Sequence, residues 1–325
     1  MSGSDPVPVM EVRNLSKHYR MGRRTLRAVD DVSLRVRAGE TLGLVGESGC
    51  GKSTLGRAML RLSTVDAGEV LFEGRDITRL PERRLRELRP RMQMVFQDSY
   101  AALNPRRRVG ELIGEPLRVH RRADGSRRGR DEIRRRLAEL AELVGLPAEA
   151  LARYPHEFSG GQRQRINIAR ALALSPRLVV ADEPVSALDV SIQAQVVNLF
   201  AGLRDELGLT YVFIAHDLSV VRQIATRVAV MYLGAIAEIG ITDAVLHRPA
   251  HPYTAALMAA VPEPVVGLPE RRVVLRGDVP SPIDPPAGCR FHTRCPIARD
   301  RCREERPMLR PAGMGREVAC HFPLG

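Results

Sequence analysis

The segment Gly46-Glu47-Ser48-Gly49-Cys50-Gly51-Lys52-Ser53 constrains this chain more than any other. It fits the pattern Gly-x4-Gly-Lys-Ser, in which glycines let the backbone curl until successive N–H groups point inward at phosphate oxygens. The segment before it, Thr41-Leu42-Gly43-Leu44-Val45, is a short apolar run with no polar face. Such a run reads as a strand buried on both sides of a parallel sheet. The segment after it, Ser53 to Leu62, reads as a helix whose N-terminus backs the loop with the positive end of its dipole. Strand, glycine turn and helix in that order are what holding a nucleotide's phosphates requires. Lys52 would reach the β- and γ-phosphates as a point charge, the Ser53 hydroxyl would ligate Mg2+, and Thr54 opens the helix beside them.

A second chemical element lies downstream. Leu178-Val179-Val180-Ala181-Asp182-Glu183 is a buried strand ending in two carboxylates. Asp182 at the strand end can deliver its carboxylate to the Mg2+ shell, and Glu183 can polarise a water for in-line attack on a γ-phosphate. Tyr211 to Ala215 and Val228 to Tyr232 are further strand-like runs, with a helical pattern over Ser191 to Leu207. Near the N-terminus, Val9 to Val12 and Val32 to Val36 alternate as strands do, divided by a basic turn at Gly22-Arg23-Arg24. Residues 100 to 157 differ in character. Ile133, Leu137, Leu140 and Val144 share one helical face there, and Arg134, Arg135 and Arg136 are expected on the solvated one. From Pro262 onward prolines and glycines multiply, which predicts an irregular tail and not another packed layer.

The chain has 325 residues, 44% of them hydrophobic and 27% charged, enough for one large α/β domain with an appendage. It has no apolar run long enough to cross a bilayer and no apolar core of a signal peptide, so a cytoplasmic protein is expected. The net charge of +12 is carried almost wholly by arginine, since Lys17 and Lys52 are the only lysines. These charges are spread out, and aromatics are only 4%, too few for base-stacking platforms. A nucleic-acid partner is therefore not expected.

Phe158-Ser159-Gly160-Gly161-Gln162-Arg163-Gln164, followed by Ile166-Asn167-Ile168-Ala169-Arg170-Ala171, resembles the signature motif of ABC ATPases. A Ser-Gly-Gly turn at a helix start makes a second anion site from backbone N–H groups and a hydroxyl. The resemblance implies a P-loop NTPase fold with a RecA-like, mainly parallel sheet. It further implies an N-terminal antiparallel β-subdomain, an inserted helical subdomain over about residues 100–170, and a C-terminal extension bearing cysteines. It places the ATPase domain at residues 9–245 and the extension at 246–325. It also implies that two such chains meet head to tail, each completing the other's ATP·Mg2+ site with Ser159, Gly160, Gly161 and Gln162. By the same resemblance Tyr19 stacks on adenine, and Gln97 touches Mg2+ or the attacking water. Ser186-Ala187-Leu188-Asp189 crosses the dimer interface, and His216 contacts the γ-phosphate. Glu183, His216 and Gln97 are thus the expected catalytic set.

The segments Ala181 to Gln193, Ala101-Ala102-Leu103-Asn104-Pro105-Arg106 and His251-Pro252-Tyr253-Thr254 are similar to the ABC subfamily energising oligopeptide and dipeptide import. The tail around Cys289-Arg290-Phe291-His292-Thr293-Arg294-Cys295-Pro296 looks most like its "F" type subunits, which pair with a "D" type ATPase. The implied partners are that second ATPase, two transmembrane permease subunits and an extracytoplasmic peptide-binding protein, at the cytoplasmic face of the membrane. Nickel or another small solute as cargo is the alternative, and a soluble ABC ATPase acting on nucleic acid or ribosomes is a more distant one. A redox or metal-sensing regulator built on an ATPase is a third.

Cys289, Cys295, Cys302 and Cys320 are spaced Cys-x5-Cys-x6-Cys-x17-Cys, without the tight Cys-x2-Cys hairpin usual in zinc sites. Four thiolates in open loops can hold an iron–sulfur cluster, and the resemblance points to [4Fe-4S]. Zinc and free thiols remain open readings, with His292 and His321 as substitute ligands. Because these residues lie far along the chain from the catalytic ones, a structural staple is the expected role.

Overall fold

The computed structural model describes residues 6–122, 124–260 and 279–325. At the N-terminus β1 (Met10–Met21) and β2 (Arg24–Val36) form a hairpin, and β3 (Thr41–Val45) then leads through the glycine loop into α1 (Lys52–Met59). Next come β4 (Ala67–Phe72), β5 (Arg75–Asp76), α2 (Glu82–Leu88) and β6 (Met92–Val95). Three helices follow without a strand between them: α3 (Val109–Val119), α4 (Arg130–Leu143) and α5 (Gly160–Leu172). Alternation resumes with β7 (Leu178–Asp182), α6 (Val190–Leu207), β8 (Thr210–Ile214), α7 (Leu218–Ile224), β9 (Arg227–Tyr232) and β10 (Ala235–Ile241). The remainder comprises α8 (Thr242–His247), α9 (Pro252–Ala259), α10 (Asp300–Glu304), β11 (Arg310–Pro311) and β12 (Glu317–Val318).

Two sheets result. One is antiparallel, ordered β2-β1-β4-β5; the other has the order β11-β12-β10-β9-β3-β8-β7-β6. Strands β6, β7, β8, β3 and β9 of the second are parallel neighbours, and β10 returns antiparallel at its edge. Successive side chains of the parallel strands leave opposite faces, and both faces are buried. Leu178 and Val180 enter one core with Leu42, Leu44, Val212 and Ile214, under α1 and the antiparallel sheet. Val179 and Ala181 enter the other with Tyr211 and Phe213, under α5, α6 and α7. Phe200 of α6 meets Tyr211 and Phe213 edge-on at 5.4 and 5.5 Å. Truncating it to alanine would cost about 3–5 kcal/mol. This two-faced burial is why β3 and β7 carry no polar side. The expected helices and buried strands are present to within a few residues, whereas the two N-terminal strands extend well beyond the expected Val9–Val12 and Val32–Val36, to Met21 and back to Arg24. No helix among the described residues is long and apolar enough to cross a membrane.

Two expectations need correction. The Arg134–Arg136 stretch is not uniformly solvated. Arg136 turns inward and donates to the carbonyls of Leu172 and Ala173 and to Ser175 Oγ, satisfying groups at the C-terminal end of α5. The tail, where described, is also more than an irregular strand of chain. Glu238 and Ile239 of β10 pair with Val318 and Glu317 of β12, adding β12 and β11 to the edge of the large sheet. Phe291 is buried against Tyr232 and Tyr253, with ring centroids 5.3 and 5.4 Å away. An edge strand with unpaired N–H and C=O groups, and an aromatic seat beside it, anchor a tail whose proline content alone predicts neither. Pro262, Pro264 and Pro269 lie outside the described residues.

Candidate active site

The glycine loop is shaped by backbone that only glycine tolerates. At Gly46, with φ +149°, a Cβ would lie 2.1 Å from the Met231 carbonyl oxygen. At Gly51, with φ +107°, it would lie 1.9 Å from that of Ala28. Both glycines therefore let the loop press against neighbouring backbone, β9 and β2 respectively. Gly51 is the N-cap of α1, so the helix N-terminus opens directly onto the loop. Ser48 and Gly49 are exposed on the loop's open side, Cys50 is buried beneath it, and burial pushes the Cys50 thiol pKa up. Lys52 Nζ donates to the carbonyl oxygens of Gly46 at 2.8 Å and Glu47 at 3.0 Å. The lysine is folded across the loop, where an incoming phosphate would take over its donors.

The carboxylates meet this loop because β6, β7, β8 and β3 are adjacent and parallel, so their carboxyl ends open on one edge of the sheet. Ligands of open α/β sheets bind at that edge. Ser53 Oγ donates to Asp182 Oδ1 at 2.6 Å. Asp182 is fully buried, and its Oδ2 has no hydrogen-bond partner among the described residues. Burial raises its pKa above the ordinary value, opposed by the Ser53 hydrogen bond and by Arg57, whose Nη2 lies 3.8 Å from Oδ2. Glu183 sits one residue on at φ +44°, outside the comfortable backbone region, with its N–H bonded to the Ile214 carbonyl at 3.0 Å. Gln97 Nε2, just past β6, donates to Glu183 Oε2 at 2.8 Å. His216 Nδ1, just past β8, is 3.8 Å from the same oxygen. Five of the residues singled out in the sequence (Ser53, Gln97, Asp182, Glu183 and His216) thus form two linked groups beside Lys52.

Two others stand apart. Ser159 caps α5: its Oγ accepts from the Gln162 N–H at 3.3 Å, and the Gln162 side chain accepts from the Ser159 N–H at 3.0 Å. Gly160 and Gly161 lie close under Leu188 and Ile192, where a Cβ at Gly161 would come 2.4 Å from Ile192 Cγ2. Among the described residues, no hydrogen bond joins this turn to the glycine loop. Tyr19, on β1 opposite Leu26, is exposed, with Lys17 Nζ 5.2 Å from its ring centroid.

Comparison with known proteins agrees with this geometry. Residues 29–186 match the profile of the ABC transporter family, and residues 237–302 match that of the oligopeptide/dipeptide transporter C-terminal region. A probable peptide ABC transporter ATP-binding protein of Sinorhizobium fredii (strain NBRC 101917 / NGR234), y4tS, is 52% identical over 96% of this chain and 89% of its own. The Bacillus subtilis (strain 168) oligopeptide transport ATP-binding protein AppF is 50% identical over 99% of both chains. The chain belongs to the ABC transporter ATP-binding family. Among solved structures, the ATP-binding cassette MJ0796, a dimer in a post-hydrolysis state bound to ADP and Pi, is 30% identical. It matches 72% of this chain and 98% of its own, with a TM-score of 0.65. This ABC protein is accordingly an ATPase with the P-loop NTPase fold.

The C-terminal extension of the ABC ATPase reaches its glycine loop, which sequence distance conceals. Arg294 forks onto Glu47, Nη1 to Oε2 at 2.9 Å and Nη2 to Oε1 at 3.1 Å, and the Glu47 N–H donates to Tyr253 Oη at 2.9 Å. Neither Arg294 nor Tyr253 was distinguishable by motif; both lie in segments read only as family resemblance. The four C-terminal cysteines line one small cavity with Phe291, Ile297 and Phe322. Burial pushes the Cys289 thiol up to about 11 and raises Cys295 and Cys320. Both histidines offered as substitutes each have one ring nitrogen occupied, His292 Nδ1 with the Cys289 carbonyl and His321 Nε2 with that of Glu305. Among the described residues, no three His, Cys, Asp or Glu side chains are gathered closely enough to hold a metal ion. Arg294, between Cys289 and Cys295, nevertheless brings this cysteine segment against the glycine loop, although it lies far along the chain.

Proposed function

We propose that this chain is the ATP-hydrolysing subunit of a di- or oligopeptide importer, with residues 9–245 as the ATPase unit and 246–325 as the extension. The arrangement that carries the hydrolytic assignment is the pairing of Ser53 with Asp182 and of Gln97 and His216 with Glu183 at neighbouring strand ends. Gly46 through Thr54 would cradle the phosphates, with Lys52 leaving the loop carbonyls to meet the β- and γ-oxygens. Ser53 and Asp182 fit a Mg2+ ion, because the buried Asp182 Oδ2 lacks a partner that a cation would supply. Bound there, Mg2+ would offset charge on the β- and γ-phosphates. Glu183, positioned by Gln97, orients and polarises the attacking water, and His216 contacts the γ-phosphate. The exposed Tyr19 stacks on adenine. The Ser159–Gln162 turn, unattached to the loop of its own chain, is left to cap the nucleotide of a second ATPase, a "D" type paralogue.

The relatives' names and the matched C-terminal region support peptide cargo and membrane permease partners, and the proposed assembly is completed by two permease subunits and an extracytoplasmic binding protein. The chain would sit peripherally at the cytoplasmic face of the membrane. Cys289, Cys295, Cys302 and Cys320 supply the four-thiol donor set an iron–sulfur cluster takes and line one cavity, and this donor chemistry alone is what we propose the cluster on. A [4Fe-4S] group would there cross-link four segments of the extension. Iron and sulfide analysis of anaerobically purified protein tests that assignment.

The hydrolytic reading is tested by Glu183→Gln. ATP affinity stays within about twofold of wild type, while turnover falls by at least about 100-fold. Turnover near wild type would remove Glu183 from the role of base.

A further inference from the structure

We infer that Arg294 and Tyr253 of the C-terminal extension are positioning residues for ATP binding, acting through Glu47 on the phosphate loop. The inference rests on the reading that Gly46 to Ser53 holds the phosphates of ATP. Two residues at the entry of that loop, Gly46 and Glu47, are gripped from both sides. On one side Lys52 donates to both of their carbonyls. On the other, Tyr253 Oη accepts the Glu47 N–H and Arg294 forks onto the Glu47 carboxylate. When the phosphates draw Lys52 away, the contacts from the extension still hold Glu47, together with the Cys50 N–H that donates to its carbonyl at 3.3 Å.

The grip is rigid for identifiable reasons. The Arg294 side chain is 6% exposed and that of Glu47 23%, so water competes weakly for the fork. Tyr232 and Tyr253 pack with ring centroids 4.5 Å apart, and Phe291 closes the cluster. Arg294 is held by the coil of its own loop, its N–H donating to the Phe291 carbonyl at 3.0 Å between Cys289 and Cys295. Order in the cysteine loop therefore passes through one side chain to the phosphate site. By linkage, a bound nucleotide must stabilise the docking of the extension to the same extent.

The test uses the full chain and equilibrium ATP binding, with kcat and KM measured below each variant's own unfolding midpoint. Arg294→Gln and Glu47→Gln each weaken ATP binding about tenfold, with kcat at saturation within about twofold of wild type. The double variant is no weaker than either single one, because both remove the same contact. Arg294→Lys falls between, since an ammonium keeps the charge but not the fork. Arg301→Gln, which breaks an exposed pair with Glu305 on the same extension, leaves binding unchanged. Affinity within twofold of wild type for Arg294→Gln, or effects that multiply in the double variant, overturn the inference. Lys52→Ala separates the two readings: if it abolishes binding while Arg294→Gln does not weaken it, only the positioning role fails. If Lys52→Ala binds ATP normally, the phosphate-loop reading itself fails.

Discussion

At the scale of single residues, the site combines groups that folding alone would not select. Asp182 lies fully buried at the end of β7, where desolvation raises its pKa and Ser53 and Arg57 offset only part of the cost. A carboxyl whose folded pKa is raised gives stability that is present in acid and lost as pH rises above its ordinary range. Near pH 7 the chain therefore carries a desolvation penalty at Asp182, one that the proposed Mg2+ would offset. Asp182→Asn keeps an acceptor for Ser53 Oγ and removes that penalty. The variant melts roughly 2–4 °C higher without nucleotide, about the effect of 1 kcal/mol, and loses at least about 100-fold in turnover. Thermal unfolding and ATPase assays on the same preparation check both halves. A lower melting temperature would show that Asp182 is satisfied as it stands. Glu183 makes the same trade in its backbone, holding φ +44° without being glycine, fixed by the Ile214 carbonyl and by Ser186 Oγ donating to its own carbonyl.

At the scale of elements, what was legible was what repeats. Thr41–Val45 and Leu178–Asp182 declare themselves because both of their faces are buried, and the helices because their apolar residues return every three or four positions. Strands β11 and β12 have two residues each, too few for any period; their pairing is dictated by the open edge of β10. The contacts that dock the extension on β2 are equally silent in sequence. Asp30 pairs with Arg290, lies 3.6 Å from Arg306 Nη1 and 3.9 Å from Arg27 Nη1, and accepts from Arg306 Nη2 through its backbone carbonyl at 2.8 Å. Burial alone would raise the Asp30 pKa, but the guanidinium groups of Arg290, Arg306 and Arg27 outweigh it and hold it below the ordinary 3.8. A depressed carboxyl gives stability that is present above that ordinary value and lost as pH falls below it. Asp30→Asn leaves Arg290 buried without its charge partner and costs about 3 kcal/mol near pH 7. Melting curves of the two proteins converge as pH falls from the ordinary 3.8 through the lower value at which the folded carboxyl finally takes up its proton. A gap that persists unchanged into acid would assign the loss to packing.

At the scale of the whole molecule, the site we propose is half of a pair, and this too was only half legible. The order of glycine loop, signature turn, carboxylate strand and histidine stands in the sequence, so the proposed catalytic set could be named from motifs. The approach of Arg294 to Glu47 spans 247 residues and follows from the tail's docking, not from any local pattern. The signature turn is the reverse case: conspicuous in sequence, yet among the described residues its side-chain bonds, through Ser159 and Gln162, stay within the turn. A turn that serves another chain's nucleotide makes a clear prediction. Ser159→Arg places a bulky cation where a second subunit's phosphates would approach, away from this chain's own loop. The isolated variant binds ATP within about twofold of wild type, because Lys52, Ser53 and Asp182 are untouched. Reconstituted with its partner ATPase, it loses at least about tenfold in turnover and in ATP-dependent association measured by light scattering. Loss of ATP binding by the isolated chain would instead make the turn part of its own pocket, and full activity in the assembly would deny that the turn closes any site at all.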